Sequence, residues 1–398
     1  MAIFPSTSED IDVTVIGGAG HVGLPLALVF ASEGYRTLIY DINPEALKII
    51  LSGEMPHLEY GAEPLLKSVL ESGNLHMTSE RADVPKTGAI IVTIGTPVDE
   101  FHNPVHKAIK ECADDLVPQL GDGQLIILRS TVYPGTTEWL TRYLASQDKN
   151  VNIAFCPERV VQGHSIRELR EIPQIISGTS PEAIEQAEKM FEKISQHMVR
   201  MEPKEAEFAK LFCNAVRYIQ FAATNEFYMI ADAAGLDYNR IYEGMTEHYP
   251  RAQQLARAGF AAGPCLFKDT AQLAAFAKNN FTLGNSAILV NEGLVLHVIE
   301  QMEKNYDLPN STVGLLGMAF KAGIDDIRSS LSYKMKKILG LHAKTVLTTD
   351  PYVTKDPRLL PLDEVIEKSD ILVLCTPHKE YQGLDTKGKP VVDVWGLL

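Results

Sequence analysis

The 398-residue sequence lacks an excess of positive charge, a regular cysteine pattern and a long apolar run. Its 37 Lys and Arg stand against 51 Asp and Glu, which gives a formal net charge of −14. That balance argues against nucleic-acid and anionic-membrane partners, but it permits a local basic pocket for a phosphate. No apolar run approaches the ~20 residues of a membrane helix, and the N-terminus lacks the features of a secretory signal. We expect a cytoplasmic protein.

The five cysteines are odd in number, scattered and without a CxxC pair, which excludes a disulfide framework and a zinc knuckle. Four of them lie in apolar runs or an ordinary helix and are expected to be inert core thiols: Cys112, Cys156, Cys213 and Cys375. No metal site is expected, because Pro104 separates His102 from His106 and no carboxylate cluster accompanies them.

The chain length predicts two or three domains. Up to about residue 200, continuous apolar runs alternate with helical stretches, which indicates βαβ units and a parallel sheet covered on both faces. The expected strands are residues 13–16, 36–40, 89–94, 124–128 and 152–155. Residues 205–234 contain neither Gly nor Pro and predict one long helix, followed by helices at 271–277 and 283–303. A second, shorter α/β region then has expected strands at 313–316, 345–348, 371–375 and 391–394.

Glycines in GxGxxG spacing follow the first strand directly, at Gly18, Gly20 and Gly23, and an amphipathic helix is expected after them. Such glycines allow a tight turn, approach of the backbone to a pyrophosphate and close helix–strand packing. Asp41 ends the next strand, where a carboxylate can hold a ribose 2′-hydroxyl and would repel a 2′-phosphate. This combination predicts NAD as the cofactor. The strand ends at residues 95–97 and 130–137 are either further ligand-binding segments or simple turns.

Three downstream segments carry polar residues that are candidates for catalysis. The first is residues 156–159, and the second is the long helix, where Lys210, Asn214 and Arg217 share one face. A solvated helix face is the alternative interpretation of that stripe. In the third, Pro264 favours the start of a helix, so Cys265 is expected in its opening turn, where the dipole favours a thiolate. Asp269 then lies one turn further on.

With these residues in view, nearly the whole chain resembles the UDP-glucose/GDP-mannose dehydrogenase family, the nucleotide-sugar 6-dehydrogenases. The resemblance is carried by Gly18-Ala-Gly-His-Val-Gly-Leu-Pro25, Gly95-Thr-Pro97, Ser130-Thr-Val-Tyr-Pro-Gly-Thr-Thr137, Pro157-Glu-Arg159, Lys210-Leu-Phe-Cys-Asn214, Gly263-Pro-Cys-Leu-Phe-Lys-Asp269 and Gly317-Met-Ala-Phe-Lys-Ala-Gly-Ile-Asp-Asp-Ile-Arg328. It implies an α/β fold with an N-terminal NAD-binding Rossmann domain (1–202), a central helical dimerisation region (203–308) and a C-terminal Rossmann-like nucleotide-sugar-binding domain (309–398).

The resemblance further implies that the C6 alcohol of a nucleotide-diphosphate hexose is oxidised twice, by two NAD, in at least a homodimer. Cys265 would carry a thiohemiacetal and then a thioester. Asp269, with Thr131 and Glu158, would position or activate water. Lys210 and Asn214 would stabilise the developing oxyanion by charge and hydrogen bonding. The implied cofactor contacts are Gly18, Gly20, His21, Val22, Gly23, Asp41, Thr96, Thr131 and Arg328. The implied substrate contacts are Glu158, Arg159, Lys210, Asn214, Arg251, Phe260, Gly263 and Lys321, with Arg251 reaching a neighbouring subunit's substrate.

Two departures from the family pattern bear on the substrate. Pro157-Glu-Arg-Val-Val161, with Gly163 following, stands where glucose-specific members usually have Pro-Glu-Phe-Leu, and it looks more like members that act on N-acetylated hexosamines. The string at 260–265, Phe-Ala-Ala-Gly-Pro-Cys, also differs from the common Phe-Gly-Gly-x-Cys. UDP-glucose, a UDP-N-acetylhexosamine and a dTDP-hexose are all candidate substrates at this point. The second α/β region has only Gly314 and Gly317 where a fingerprint would lie, so no second NAD is expected there.

Two other classes of function fit parts of the sequence. A two-electron hydroxyacid dehydrogenase also joins a Rossmann domain to a long helix with a lysine, but it needs neither a nucleophilic cysteine nor a second α/β domain. An NAD-sensing scaffold would keep the fold without chemistry, which the intact set of Cys265, Asp269, Lys210 and Asn214 argues against.

Overall fold

The computed structural model describes residues 11–99 and 103–398. Residues 1–10 and His102 therefore lie outside the described residues. The chain divides into two compact units, with the boundary between Phe212 and Cys213.

The first unit is built on an eight-stranded sheet in the order β3-β2-β1-β4-β5-β6-β7-β8. Its strands are β1 (Val13–Ile16), β2 (Thr37–Tyr40), β3 (Leu75–Thr78), β4 (Ala89–Val92), β5 (Leu125–Leu128), β6 (Asn152–Phe155), β7 (Gln174–Gly178) and β8 (Met198–Arg200). All neighbours pair in parallel except β6 and β7. In the centre, Val13 pairs with Thr37 on one side and Ala89 on the other, and these apolar strands are buried on both faces. The predicted parallel sheet is confirmed.

Within residues 11–99 and 103–200, seven α-helices connect these strands: α1 (Gly23–Ser32), α2 (Pro44–Leu51), α3 (Ala62–Glu71), α4 (Lys107–Leu116), α5 (Thr136–Ser146), α6 (Ser165–Glu171) and α7 (Pro181–Phe191). The expectation of an amphipathic helix after the glycine loop was wrong. The side chains of α1 are buried around the helix from Gly23 to Ala31, because α3 and α6 pack against it in addition to the sheet.

Three strands were not predicted. β3, β7 and β8 carry polar residues such as His76, Gln174 and Arg200, so none of them forms a continuous apolar run. They extend the sheet at its two sides, where fewer apolar neighbours are needed than in the centre.

The long helix α8 (Pro203–Ala233) begins with proline at its first position and crosses the boundary between the units. The second unit continues with α9 (Tyr238–Thr246), α10 (Leu266–Phe276) and α11 (Thr282–Asn305). It ends in a parallel four-stranded sheet in the order β10-β9-β11-β12. The strands are β9 (Thr312–Leu316), β10 (Thr345–Thr349), β11 (Ile371–Leu374) and β12 (Val391–Val392), with helices α12 (Leu331–Leu339) and α13 (Leu362–Lys368). The predicted order of α/β, helical and α/β regions is confirmed.

One helix in the described part of the chain, α11, is long and apolar enough to cross a membrane by length and composition alone. A core helix of a soluble protein passes the same test. On one side α11 packs into the core of the second unit, and its buried Asn291 donates to the carbonyl of Tyr218 and accepts from the amide of Asn225. These specific polar contacts are those of a helix that packs within a protein.

Candidate active site

The glycine loop between β1 and α1 is tightly packed on one side and open on the other. A Cβ at Gly18 would lie 2.8 Å from a methyl of Ile39, and one at Gly23 would lie 2.5 Å from the carbonyl oxygen of Gly17. At Gly20, a Cβ would meet among the described residues only the carbonyl of Gly17, at 3.4 Å. The first turn of α1 carries no acidic residue. An open glycine beside a helix N-terminus fits an approaching pyrophosphate.

Asp41 stands at the end of β2, beside this loop. Its Oδ2 accepts a hydrogen bond from the N–H of Ala19 at 3.0 Å, and its Oδ1 accepts from the N–H of Asn43 at 3.0 Å. The carboxylate is therefore held next to the fingerprint and remains partly exposed. Together, the open glycine and this oriented carboxylate fit the phosphates and ribose of NAD.

His21, within the fingerprint, contacts two segments that sequence reasoning did not single out. Its Nδ1 lies 3.0 Å from the amide of Gln162, and its ring centroid lies 4.0 Å from that of His57. Nearby, the buried Glu59 accepts hydrogen bonds from Gly163 and Ser165. Burial raises the pKa of Glu59 and outweighs these hydrogen bonds, which lower it.

The structure brings two of the predicted strand-end segments together. The hydroxyl of Thr96, after β4, donates to the carbonyl of Thr131, after β5, at 2.5 Å. The hydroxyl of Ser130 likewise donates to the carbonyl of Ile94 at 2.6 Å. Since both segments follow parallel strands that pair directly, they lie at the carboxyl edge of the sheet, as ligand-binding loops of open α/β sheets do.

Glu158 is held by Arg129, a residue that sequence reasoning missed. The buried Arg129 donates to Glu158 Oε2 from Nε at 3.0 Å and from Nη2 at 2.6 Å. The N–H groups of Arg159 and Val160 donate to the other carboxylate oxygen. A charged residue directly after the apolar run of β5 was the available signal. Because Glu158 already accepts four hydrogen bonds, its arrangement favours a positioning role over that of a base.

The polar stripe on α8 divides into a buried and an exposed part. Lys210 is 9% exposed and Asn214 is 8% exposed, so the solvated-face interpretation is wrong for both, whereas Arg217 is exposed. One turn before Lys210, the buried Glu207 accepts hydrogen bonds from the N–H groups of Gly135 and Thr137 and from the Thr137 hydroxyl. Through these hydrogen bonds, the Glu207 carboxylate on α8 holds the N-terminus of α5 in place.

In the second unit, Asn214 reaches the buried carboxylate of Asp269. Asn214 Nδ2 donates to Asp269 Oδ2 at 2.6 Å, and Lys268 Nζ lies 2.9 Å from Oδ1. Asp269 is 0% exposed, whereas Cys265, immediately before α10, is exposed. The helix thus begins after Cys265, so Pro264 lies outside it. The Asp269 N–H still donates to the Cys265 carbonyl at 2.9 Å, which makes the cysteine the capping residue of α10.

The other thiols differ in their surroundings. Burial raises the pKa of Cys112, Cys156 and Cys375 to about 12 each, as expected for unreactive core thiols. The expectation of a core thiol was wrong for Cys213, which is exposed on α8. Cys213 follows two apolar residues in the sequence, Leu211 and Phe212, but Leu211 is buried whereas Phe212 and Cys213 are exposed.

The segment before Cys265 is packed too closely for side chains at two glycines. A Cβ at Gly259 would lie 2.2 Å from the ring of Trp395, and one at Gly263 would lie 2.5 Å from the ring of Phe320. Gly263 also has a φ of +102°, which disfavours other residues. The side chain of Phe260, a predicted substrate contact, is buried in the apolar core and is not available to a ligand.

The remaining predicted contacts lie on three segments of the chain. Lys321 is half-buried in the loop after β9, and Arg251 is exposed in the short 3-10 helix Pro250–Ala252. Arg328 donates from Nη2 to Asp326 at 2.6 Å, a bond that raises the pKa of Arg328, with a smaller electrostatic contribution from Cys265. In the first unit, Arg159 binds the carbonyl of Pro173.

Three domain models of one protein family together match most of the chain. The NAD-binding domain of the UDP-glucose/GDP-mannose dehydrogenase family matches residues 11–195, its central domain matches 204–293 and its UDP-binding domain matches 314–398. A UDP-N-acetyl-D-mannosamine dehydrogenase of Pyrococcus horikoshii is 32% identical over 92% of this chain and 90% of its own length. An NDP-N-acetyl-D-galactosaminuronic acid dehydrogenase of Ralstonia nicotianae is 29% identical over 98% and 97%.

Solved structures of proteins from the same family have a similar fold. A UDP-D-ManNAc dehydrogenase from Pyrococcus horikoshii superimposes with a TM-score of 0.90 and 30% identity, over 98% of this chain and 96% of that one. A UDP-glucose dehydrogenase from Pyrobaculum islandicum shares the fold, with a TM-score of 0.90 and 24% identity over 99% and 96%. The chain therefore belongs to the UDP-glucose/GDP-mannose dehydrogenase family and is an NAD-dependent nucleotide-sugar dehydrogenase that acts on CH–OH groups.

Proposed function

We propose that the protein oxidises the C6 hydroxymethyl group of a UDP-N-acetylhexosamine to a carboxylate, a four-electron reaction that consumes two NAD. The observation that carries this proposal is the exposed Cys265 at the start of α10, one helical turn before the buried Asp269–Asn214 pair. A two-electron dehydrogenase has no use for a nucleophile at this position.

Cys265 is the covalent catalyst in this mechanism. Its thiolate adds to the C6 aldehyde, and the resulting thiohemiacetal loses a hydride and a proton to become a thioester. Water then adds to the thioester carbon, and the C–S bond breaks to release the carboxylate and the thiol. NAD, when bound, is the acceptor of the hydride in each oxidation.

Asp269, Asn214 and Lys210 assist the attack of water on the C6 thioester carbon. Asp269 orients the attacking water and accepts its proton, and the amide of Asn214 holds the carboxylate in place. Lys210 offers a positive charge to the oxyanion that develops at C6. Glu158, fixed by Arg129, orients the water together with Thr131.

NAD is held by Gly18, Gly20, His21, Val22 and Gly23 at the start of α1 and by Asp41 at the ribose, with Thr96, Thr131 and Arg328 as further contacts. Asp41 favours NAD over NADP because a carboxylate repels a 2′-phosphate. The nucleotide sugar is bound by Arg159, Arg251, Gly263 and Lys321 and by the backbone of Phe260, in addition to the polar residues of the mechanism. The domain limits that accompany this assignment are 1–202, 203–308 and 309–398.

The N-acetylated sugar is favoured by two observations. Pro157-Glu-Arg-Val-Val161, followed by Gly163, stands where glucose-specific members usually carry Pro-Glu-Phe-Leu. Relatives about 30% identical are, by name, UDP-N-acetyl-D-mannosamine dehydrogenases. UDP-glucose and a dTDP-hexose are the alternative substrates that the assay must include.

The protein acts as a cytoplasmic homodimer. Apolar side chains on one face of α8 and one face of α11 are exposed in the single subunit: Val216, Phe227, Ile230, Leu289 and Leu296. Such a set on neighbouring turns is typical of an association surface. Arg251, exposed in the same unit, would reach the substrate of the neighbouring subunit.

The test of the reaction is a panel of UDP-N-acetylhexosamines, UDP-glucose and a dTDP-hexose, assayed for NADH formed per sugar consumed. Two NADH per UDP-N-acetylhexosamine, with a carboxylate product, are expected. One NADH with an aldehyde or ketone product would refute the four-electron reaction, and preference for another sugar would refute the substrate assignment.

Covalent catalysis is tested by intact-protein mass spectrometry. Asp269→Asn is expected to accumulate a sugar adduct on Cys265, because thioester hydrolysis slows while the oxidations continue. Cys265→Ala should form no adduct and no carboxylate, and Cys213→Ala, which removes the other exposed thiol, is the control with normal turnover. Normal turnover by Cys265→Ala would exclude the mechanism.

The dimer is tested by light scattering after size-exclusion chromatography. Ile230→Asp is expected to give a monomer with the far-UV circular dichroism of the wild type. Leu341→Asp changes an 83% exposed leucine outside this surface and should leave the dimer intact. A wild-type monomer, or a dimer that tolerates Ile230→Asp, would contradict the assigned surface.

A further inference from the structure

The second α/β sheet contains a carboxylate in the place that Asp41 occupies in the first. β10 lies beside β9 as β2 lies beside β1, and Asp350 follows β10 as Asp41 follows β2. The environments of the two carboxylates differ. Asp41 is partly exposed, whereas the side chain of Asp350 is 0% exposed. Asp350 is therefore inaccessible to a ribose and must have another role.

Asp350 binds the beginning of the loop that follows β9, residues 317–329. Its Oδ2 accepts hydrogen bonds from the N–H of Met318 at 2.6 Å and of Ala319 at 2.9 Å. Its Oδ1 accepts from the N–H groups of Tyr352 and Val353 in its own turn. The carboxylate thus ties the loop to the end of β10.

His378 connects the same carboxylate to the middle of the loop. Its side chain is also 0% exposed, and its Nε2 lies 3.1 Å from Asp350 Oδ2. Its Nδ1 accepts a hydrogen bond from the N–H of Gly323 at 3.1 Å. Because Nδ1 is the acceptor, the ring proton resides on Nε2 and is donated to Asp350. One imidazole therefore bridges Asp350 and Gly323, two residues after Lys321.

The loop that this pair holds also packs against the residues that precede Cys265. The N–H of Gly263 donates to the carbonyl of Ser329 at 3.3 Å, and the Phe320 ring fills the space where a Cβ of Gly263 would be. The position of the loop therefore affects both Lys321 and the approach to Cys265.

We propose that His378 and Asp350 are positioning residues that hold the 317–329 loop, and with it Lys321, in the geometry that binds the nucleotide sugar. The inference rests on the proposed function for the identity of the ligand, but the order of the loop does not depend on it. The pair acts through backbone N–H groups and touches no substrate.

The two ring nitrogens can be replaced separately. In His378→Asn, the amide oxygen takes the place of Nδ1 and can accept from Gly323, while the contact with Asp350 is lost. In His378→Gln, the amide nitrogen takes the place of Nε2 and can donate to Asp350, while the contact with Gly323 is lost. Loss of the loop contact is expected to raise KM for the nucleotide sugar about tenfold in His378→Gln. His378→Asn should keep KM within about threefold but unfold at lower temperature, since the buried carboxylate loses a donor.

A purely structural role would make the less stable variant bind the nucleotide sugar more weakly. His378→Asn would then have both the lower unfolding temperature and the higher KM. That result would overturn the inference, as would equal KM values in both variants. In His378→Gln, kcat and KM for NAD should stay within about twofold of the wild type. Lys389→Met removes a lysine that binds the carbonyls of Ile366 and Ser369 at the opposite edge of the same sheet, and it controls for general destabilisation of this region.

Hydrogen–deuterium exchange of the ligand-free protein separates this inference from the proposed function. The Gly323 amide is expected to exchange faster in His378→Gln than in the wild type and in His378→Asn. If exchange at Gly323 follows this order but no nucleotide sugar is oxidised by the wild type, the proposed function fails and the loop assignment stands. Unchanged exchange in His378→Gln would refute the assignment even in an active enzyme.

Discussion

The carboxamide of Asn214 on α8 donates a hydrogen bond of 2.6 Å to the carboxylate of Asp269 on α10. The two residues are 55 positions apart in the chain, and Asp269 has no solvent-exposed surface. The carboxylate lies one turn after the exposed Cys265, so this hydrogen bond orients the general base that we assign to thioester hydrolysis. A buried carboxylate depends strongly on its donors, because water cannot replace them.

Asn214→Ala is expected to lower the free energy of unfolding by about 1–3 kcal/mol, because Asp269 loses a buried donor. Under the proposed mechanism it should also slow hydrolysis of the thioester. Urea unfolding and steady-state kinetics measure the two effects. Lys204→Ala, an exposed position near the start of the same helix, should change stability by less than about 0.5 kcal/mol. Equal effects of both substitutions would contradict the importance of the buried contact.

Gly259→Ala and Gly263→Ala should each lower the free energy of unfolding by about 1–3 kcal/mol, since each Cβ would overlap an aromatic ring. Trp395→Leu should largely rescue Gly259→Ala. Phe320→Leu should rescue Gly263→Ala only in part, because the alanine at position 263 remains strained by its positive φ. Thermal and urea unfolding of the single and double variants give the coupling energies.

The control for these glycine variants is Gly244→Ala. A Cβ at this position on α9 would meet no atom within 4 Å among the described residues. It should stabilise the protein by about 0.5–1 kcal/mol, as alanine does in a helix. Full rescue of Gly263→Ala by Phe320→Leu would show that φ strain contributes nothing.

Asp41→Asn should raise kcat/KM for NADP relative to NAD by about tenfold, because the negative charge that repels a 2′-phosphate is removed. The amide oxygen can still accept one of the two backbone hydrogen bonds that orient the side chain. Asp12→Asn is the matched control, since Asp12 also accepts a backbone N–H, from Arg36, but at the opposite end of these strands. The same shift in both variants would argue against Asp41 as the ribose ligand.

Glu207 and Asp350 should contribute to stability with opposite dependence on pH. Burial raises the pKa of Glu207 above its ordinary 4.5 despite the hydrogen bonds it accepts, so the folded state holds the proton more tightly than the unfolded chain. Its contribution to stability is present below pH 4.5 and is lost as the pH rises through the raised value. Burial also raises the pKa of Asp350, but hydrogen bonds from His378 and backbone N–H groups bring it below 3.8. Its contribution is present above pH 3.8 and is lost as the pH falls through the lowered value.

Urea unfolding between about pH 3 and pH 7 tests these signs. The difference in unfolding free energy between the wild type and Glu207→Gln should shrink as the pH rises. The difference between the wild type and Asp350→Asn should grow over the same interval. Parallel pH dependence in both variants would show that one of the two directions is wrong.

Much of the fold could be predicted from the chain because its strongest signals are local. The central strands are continuous apolar runs, and the 31-residue α8 lacks internal glycine or proline. Prediction was less successful at the sides of the first sheet, where polar residues such as His76, Gln174 and Arg200 interrupt the apolar residues of β3, β7 and β8. It also misjudged α1, whose burial on all sides depends on α3 and α6.

For the candidate site, the sequence by itself determined which chemical groups are present and in what order: the glycine fingerprint with Asp41, the polar residues of α8, and Cys265 with Asp269. Only the tertiary structure decided how they are held. Arg129 is paired with Glu158, Asn214 with Asp269, and His378 with Asp350, and each pair is separated by more than 25 positions in the chain. The physical reason is that burial and hydrogen bonding arise from residues that folding brings together. No local pattern therefore distinguishes a buried, oriented carboxylate from one that water surrounds.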